Sequence, residues 1–170
     1  MPLDTRRYDF EEEIADLEAQ IDDLADQVAE MDPTSERAKS LESRGNTLDT
    51  YRRGLEWAAE EWDVDAVELG GLNAGEYGRM QDELPEGGGG GATRIYYVAS
   101  GTVDAPYAAD DLEASVANVA QLPIAYAKWA EAQINDLTSV GGDEGNRFYA
   151  SLAERRTGTT STETSGPTTS

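Results

Sequence analysis

Apolar residues recur along the N-terminal third of the chain at spacings of three and four. Ile14, Leu17, Ile21, Leu24 and Val28 form one stripe, with Asp, Glu and Gln between them. This period predicts an amphipathic helix from about Tyr8 to Glu30, its a/d stripe held for more than two heptads. The stretch "MDPTSER" then breaks the pattern. Asp32 is a natural cap for a second helix, and Pro33 is preorganised for its first position. Leu41, Leu48, Tyr51, Leu55, Ala58 and Trp62 carry an approximate heptad through that helix, with Gly45-Asn46 weakening its middle and Arg44 on the stripe. Two such helices joined by a Pro-marked turn predict an antiparallel, coiled-coil-like hairpin arm over residues 1–63. Its stripe either closes the hairpin on itself or also recruits another helix, including a second copy of the chain.

The helical period ends at "WDVDAVELGGL". Val64, Val67 and Leu69 suit a short extended segment, which Gly70-Gly71 terminates. In "NAGEYGRMQDEL", Asn73 and Glu76 match a capping box, and Tyr77, Met80 and Leu84 share the face of the helix that follows. The motif reads as a strand-to-helix joint that brings Leu69, Leu72 and Tyr77 together. "PEGGGGGA", over residues 85–92, predicts a flexible loop. Ile95 to Ala99 suits a strand or a buried helical turn equally well, because periodicity does not separate the two in so short a run.

A helix follows from Ala109 to Ala120, with Leu112, Val116 and Val119 inward. Another runs from Pro123 to about Leu137, with Ile124, Tyr126, Trp129, Ala130, Ile134 and Leu137 as its apolar positions. A last short helix is expected at about Gly145 to Arg156. The fold class is therefore mainly α. A small helical domain over residues 64–156, with at most a short strand or two, follows the arm, and residues 157–170 form a disordered tail without large apolar side chains.

Charge changes this picture most. The chain of 170 residues carries 35 acidic and 13 basic side chains, a formal net charge of −22. Such a balance suits an acidic interaction protein or a mimic of nucleic acid, but acid spread through every segment, with lysine only at Lys39 and Lys128, better fits a cytosol of molar salt, where screening removes self-repulsion. The same balance argues against nucleic-acid binding, since no basic patch is present to displace counterions from phosphates. No stretch has the apolar length of a membrane span, and the N-terminus has no hydrophobic signal core. These features predict a cytoplasmic protein.

Chemistry is sparse. Cysteine and histidine are both absent, which removes thiolate metal ligands and the commonest general base. The glycine run lacks the Gly-Lys-Ser/Thr ending that grips phosphate. Glu11 to Glu13 and Asp110-Asp111 fall at helix starts, where the helix dipole favours carboxylates without any catalytic role. "DEGN" is too short for a calcium loop. Trp57, Trp62 and Trp129 sit at positions compatible with core packing. No catalytic residue, cofactor or metal site is expected.

The portion from about Val64 to Phe148 resembles the tail assembly chaperones of long-tailed viruses. The resemblance lies in "VELGGLNAGEYGRMQDE" (Val67, Leu69, Leu72, Gly75, Glu76), in "YYVASGTVDAP" (Gly101, Val103, Asp104, Pro106), and in "QLPIAYAKWAEAQINDL", which closes on Ile134 and Leu137, followed by "GNRF". The heptad-bearing arm and the five-glycine run stand outside that pattern. The resemblance implies a non-catalytic protein that binds the tape measure protein, keeps its apolar helices soluble, and recruits tail tube subunits. The acidic surface fits a virus or provirus of halophilic archaea, and a disordered ending suits the shorter product of a frameshifted pair.

Two alternatives keep the same arm. One is a structural virion subunit of the neck, tail or capsid that oligomerises through it; the other is a cytosolic adaptor of a halophilic archaeon. In each case the partner is protein, and neither nucleic acid nor membrane. The residues expected to touch it are Ile14, Leu17, Ile21, Leu24 and Val28, joined by Leu69, Leu72 and Tyr77.

Overall fold

The computed structural model of the chain describes residues 3–139. Its elements run β1 (Thr5–Asp9), α1 (Phe10–Ala29), α2 (Glu36–Glu61), β2 (Ala66–Gly70), α3 (Ala74–Glu83), α4 (Gly90–Gly101), β3 (Thr102–Asp104), α5 (Leu112–Val119) and α6 (Ile124–Thr138). The described chain is mainly helical and carries one antiparallel sheet of order β1-β2-β3. The helix expected for Gly145 to Arg156 and the tail over residues 157–170 lie outside the described residues.

Local chemistry sets most boundaries. Asp9 caps α1 by accepting from Glu12 N, and Glu11, Glu12 and Glu13 occupy the first turn, as the dipole favours. Asp32 does not cap α2. Its carboxylate accepts from Thr34 N and Oγ1, closing a side-chain turn around Pro33, and Ser35 accepts from Ala38 N as the true cap. α2 then runs unbroken through Gly45-Asn46. The Asn73–Glu76 capping box opens α3 as its spacing predicts. Gly90, Gly91 and Ala92 form the first turn of α4, so the loop ends sooner than expected, and Ile95 to Ala99 are helical.

Two strands escape the hydrophobic pattern, and the expectation of one or two strands is corrected to three. Tyr8 does not open α1. It pairs with Val67 in a register that also sets Thr5 opposite Gly70, and its ring is buried. β3 is only three residues long and joins β2 at Glu68 and Leu69 across an irregularity.

The core forms where α6 meets α2, α4 and β2. α2 packs between α1 and α6, and α6 also meets α4 and β2. Trp129, Tyr126, Ala130 and Ile134 of α6 are buried, as are Leu55 and Ala58 of α2, Val98 of α4, and Val67 and Leu69 of β2. Ile124, one of the apolar positions of α6, is exposed at its first turn. Burying each large side chain contributes about 1.5–3 kcal/mol. An aromatic run threads this core: Tyr8 meets Trp129 edge-on at 5.4 Å, and Tyr126 meets Trp62 at 4.9 Å. Trp57 is half-buried at its end, 5.3 Å from Trp62.

Glycine admits α6. A Cβ at Gly54 of α2 would lie 2.5 Å from Tyr126 N, so the two helix backbones touch there. Gly71 is pressed in the same way against the main chain of Leu137. Leu72 N donates to Thr138 Oγ1, and Leu69 and Leu72 are buried, so "ELGGLN" is the joint that docks the sheet onto the end of α6. Residues up to Thr138 accordingly form one compact unit. The boundary expected at residue 63 does not separate two cores, because β1 pairs with β2 and α2 packs on α6 across it.

Candidate functional site

The residues expected to touch a partner divide by location. Leu17 and Leu24 are buried in the core cluster shared by α1 and α2, and Leu69 and Leu72 are buried beneath α6. The apolar stripe of α1 is thus largely used within the chain. Ile14, Ile21 and Val28 are half-buried, and Tyr77 is 46% exposed. What remains open to a partner is the margin of the stripe.

That margin is a groove of about 690 Å³ between α1 and α2. Ile21, Ala25, Val28 and Ala29 line one side, and Leu41, Gly45 and Asn46 the other, with Leu24 between them. Ala25 and Ala29 lie one helical turn apart and are exposed. A Cβ added at Gly45 would meet nothing within 4 Å. No packing inside the described chain therefore requires glycine at the middle of α2, although glycine there costs about 1 kcal/mol relative to Ala.

The charge around this groove is one-sided. The twenty residues of α1 include eight carboxylates and no cation. Three of the five cations on α2 are paired within that helix: Arg52 holds Asp49 at 2.7 Å and Glu56 at 2.8 Å, Arg53 reaches Asp49 at 3.2 Å, and Lys39 reaches Glu36 at 3.4 Å. Asp49 stays below the usual carboxylate range through its bond to Arg52. A second hollow of about 650 Å³ lies where the ends of α1 and α2 meet the approach to β2, with Phe10, Ile14 and Val64 as its apolar lining among Asp9, Glu11, Glu18 and Asp65.

The other side of α2 borders a larger groove of about 790 Å³, walled by α2, α3, α4 and α6. Tyr51, Tyr77 and Tyr97 line it from three different helices. Tyr97 donates its hydroxyl to Thr138 Oγ1 at 3.0 Å, and Arg94 pairs with Glu131 across α4 and α6. Burial raises the hydroxyl pKa of Tyr51, with the Glu131 carboxylate adding to the effect. Sequence reasoning found Tyr77 alone of these side chains. Tyr51 falls on the heptad of α2 and Tyr97 within the run from Ile95 to Ala99, but nothing local sets either ring beside Tyr77, and Arg94 and Glu131 give no periodic signal.

Among the described residues no group of three or more His, Cys, Asp or Glu side chains is placed to hold a metal ion, and no helix is long and apolar enough to cross a membrane. No protein family, curated protein or solved structure matches the chain with significant similarity.

Proposed function

We propose that the chain is a non-catalytic assembly chaperone whose α1–α2 arm, an antiparallel and coiled-coil-like hairpin, holds a helical segment of a client protein. The observation that carries this reading is the open groove with Gly45 in its wall. A glycine that the chain does not itself need, facing Ala25 and Ala29, lets a third helix approach closely. Ile21, Val28 and Leu41 supply apolar contact on either side, the helix-in-groove mode of recognition. The carboxylates of α1 and Glu42 select an apolar helix flanked by Arg or Lys. They also disfavour a second copy of so acidic a chain.

The motifs shared with tail assembly chaperones give the client its identity in this reading: the long helical tape measure protein. Tail tube subunits are recruited to the complex afterwards, and the chaperone leaves before the particle matures. Its working environment is a host cytosol of high salt, where apolar contact gains weight and surface charge loses it.

Ala25→Gln with Ala29→Gln tests the groove. Both sites are exposed and glutamine is a good helix former, so the fold is retained. Co-purification of the tape measure protein from producing cells should fall at least about tenfold, as loss of a close-packed helix contact requires. Unchanged recovery with an unchanged circular dichroism spectrum would place the client elsewhere.

A further inference from the structure

The groove on the opposite side of α2 is a separate site, and its chemistry differs from that of the client-binding arm. We propose that it binds a carboxylate attached to a flat aromatic group. The inference stands independently of the chaperone reading.

Three observations carry it. First, Tyr51, Tyr77 and Tyr97 leave about 790 Å³ open between them, a volume typical of ligand sites and too large to be a packing defect. Three rings on three helices offer stacking surface for another ring. Tyr97 is held by Thr138, and Tyr77 is the exposed wall, carried on α3.

Second, the charge of this lining is inverted relative to the chain. Its ionic side chains are Arg94, Lys128 and Glu131, a net charge of +1 within a protein of −22. Arg94 is neutralised by Glu131. Lys128 makes no ion pair among the described residues, although carboxylates outnumber cations almost threefold in the chain. An unpaired ammonium beside a concave wall is the place where an anion gains most from the local field.

Third, the half-buried Tyr51 hydroxyl has no hydrogen-bond partner among the described residues, while Tyr97 has one. Lining the groove and open to solvent, this hydroxyl is available to donate to a ligand oxygen. An ammonium and a phenolic hydroxyl together suit a carboxylate, and the rings suit its aromatic substituent.

A peptide ending in an aromatic residue and a free aromatic acid share this chemistry. The full chain, labelled with nitrogen-15, is titrated in molar KCl with N-acetyltyrosine, with the tetrapeptide acetyl-Gly-Gly-Gly-Tyr, and with that peptide's C-terminal amide. Amide shifts should be confined to the facing segments of α2, α3, α4 and α6 and should saturate at about millimolar ligand. The amidated peptide should bind about threefold to fivefold more weakly than the acid, the worth of one exposed charge pair.

Lys128→Gln, at an exposed position, should abolish that difference, and Tyr77→Ala should weaken all three ligands. Tighter binding of the tetrapeptide than of N-acetyltyrosine identifies a peptide terminus as the ligand; equal binding identifies the free acid. Shifts that are absent at about 20 mM ligand or scattered over the surface would overturn the proposal, given affinities expected near millimolar. So would equal affinity for acid and amide.

Discussion

Gly45 and Gly54 lie on the same helix, and the same substitution should move stability in opposite directions. At Gly45 an added Cβ enters open space. Gly45→Ala then gains helix propensity without a clash and stabilises the chain by about 1 kcal/mol. At Gly54 the Cβ would lie 2.5 Å from Tyr126 N, 2.6 Å from Ala125 C and 2.7 Å from Tyr126 Cα. Ordinary contacts between such atoms are about 3.5–4.0 Å, so α2 and α6 must separate by roughly 1 Å. All three obstacles are backbone, so no side-chain rotation relieves them. That movement strains the contacts of Leu55, Ala58, Tyr126 and Trp129, which are all buried. Overpacking of this kind costs about 1–3 kcal/mol or more, and the helix propensity of Ala offsets only about 1 kcal/mol of it. With an unfolding entropy of about 2.1 cal/mol/K per residue, 1 kcal/mol corresponds to roughly 3–4 °C in Tm for a folded unit of this size. Thermal unfolding followed by circular dichroism in molar KCl should place Gly45→Ala about 3 °C above the parent. Gly54→Ala should fall several degrees below it. If Gly54→Ala matched the parent, the backbone contact between α2 and α6 would be wrong; if Gly45→Ala were destabilised, the chain itself would be using the space that the account leaves to a client.

Three further expectations address the rest of the fold. Ser100 Oγ is buried without a partner, so Ser100→Ala should raise stability by about 1 kcal/mol, read from the urea midpoint at unchanged slope. Asn73→Ala removes one half of the capping box of α3 and should cost about 0.5–2 kcal/mol, with faster hydrogen exchange confined to that helix and its neighbours. Burial pushes the Tyr8 hydroxyl up to about 12 and raises Tyr107 and Tyr126 as well. Because the folded state holds these protons more tightly, their contribution is fully present below the ordinary tyrosine pKa of about 10 and is lost as pH rises through the folded values. The part of the tyrosinate absorbance that belongs to these three buried rings should therefore appear only together with loss of helix above pH 10, and titration of all tyrosines on an intact fold would contradict the burial.

The helices were legible because their boundaries are written in local chemistry. The 3.6-residue period of α1 and α2, the Asn73–Glu76 box and Pro123 before α6 each act within a few residues. β1 was not legible, because "TRRYD" has no alternating apolar face and becomes a strand only by pairing with Ala66 to Gly70, some sixty residues away. β3 is similarly a product of β2, and Ile95 to Ala99 take their helical form in a packing against α6 that no short window contains. The Asp32 cap failed by competition, since "DPTS" offers three capping side chains, Asp32, Thr34 and Ser35, and Ser35 holds the position. Exposure was the least legible property of all. Leu17 and Leu24 repeat as a client-binding stripe would, yet α2 covers them, and only the margin at Ala25, Val28 and Ala29 stays open. The tyrosine groove carries no sequence signature, because Tyr51, Tyr77, Tyr97 and Lys128 come from four helices.

The central claim is a transient grip on a helical client. Quantitative mass spectrometry tests it most directly, applied in molar salt to a tagged pull-down from producing cells and to purified particles from the same culture. The account predicts a long helical protein of tape-measure type enriched with the chain in the lysate, and no chain in the particles. A fixed copy number of the chain in the particles would contradict it and make the α1–α2 groove a permanent interface of the virion.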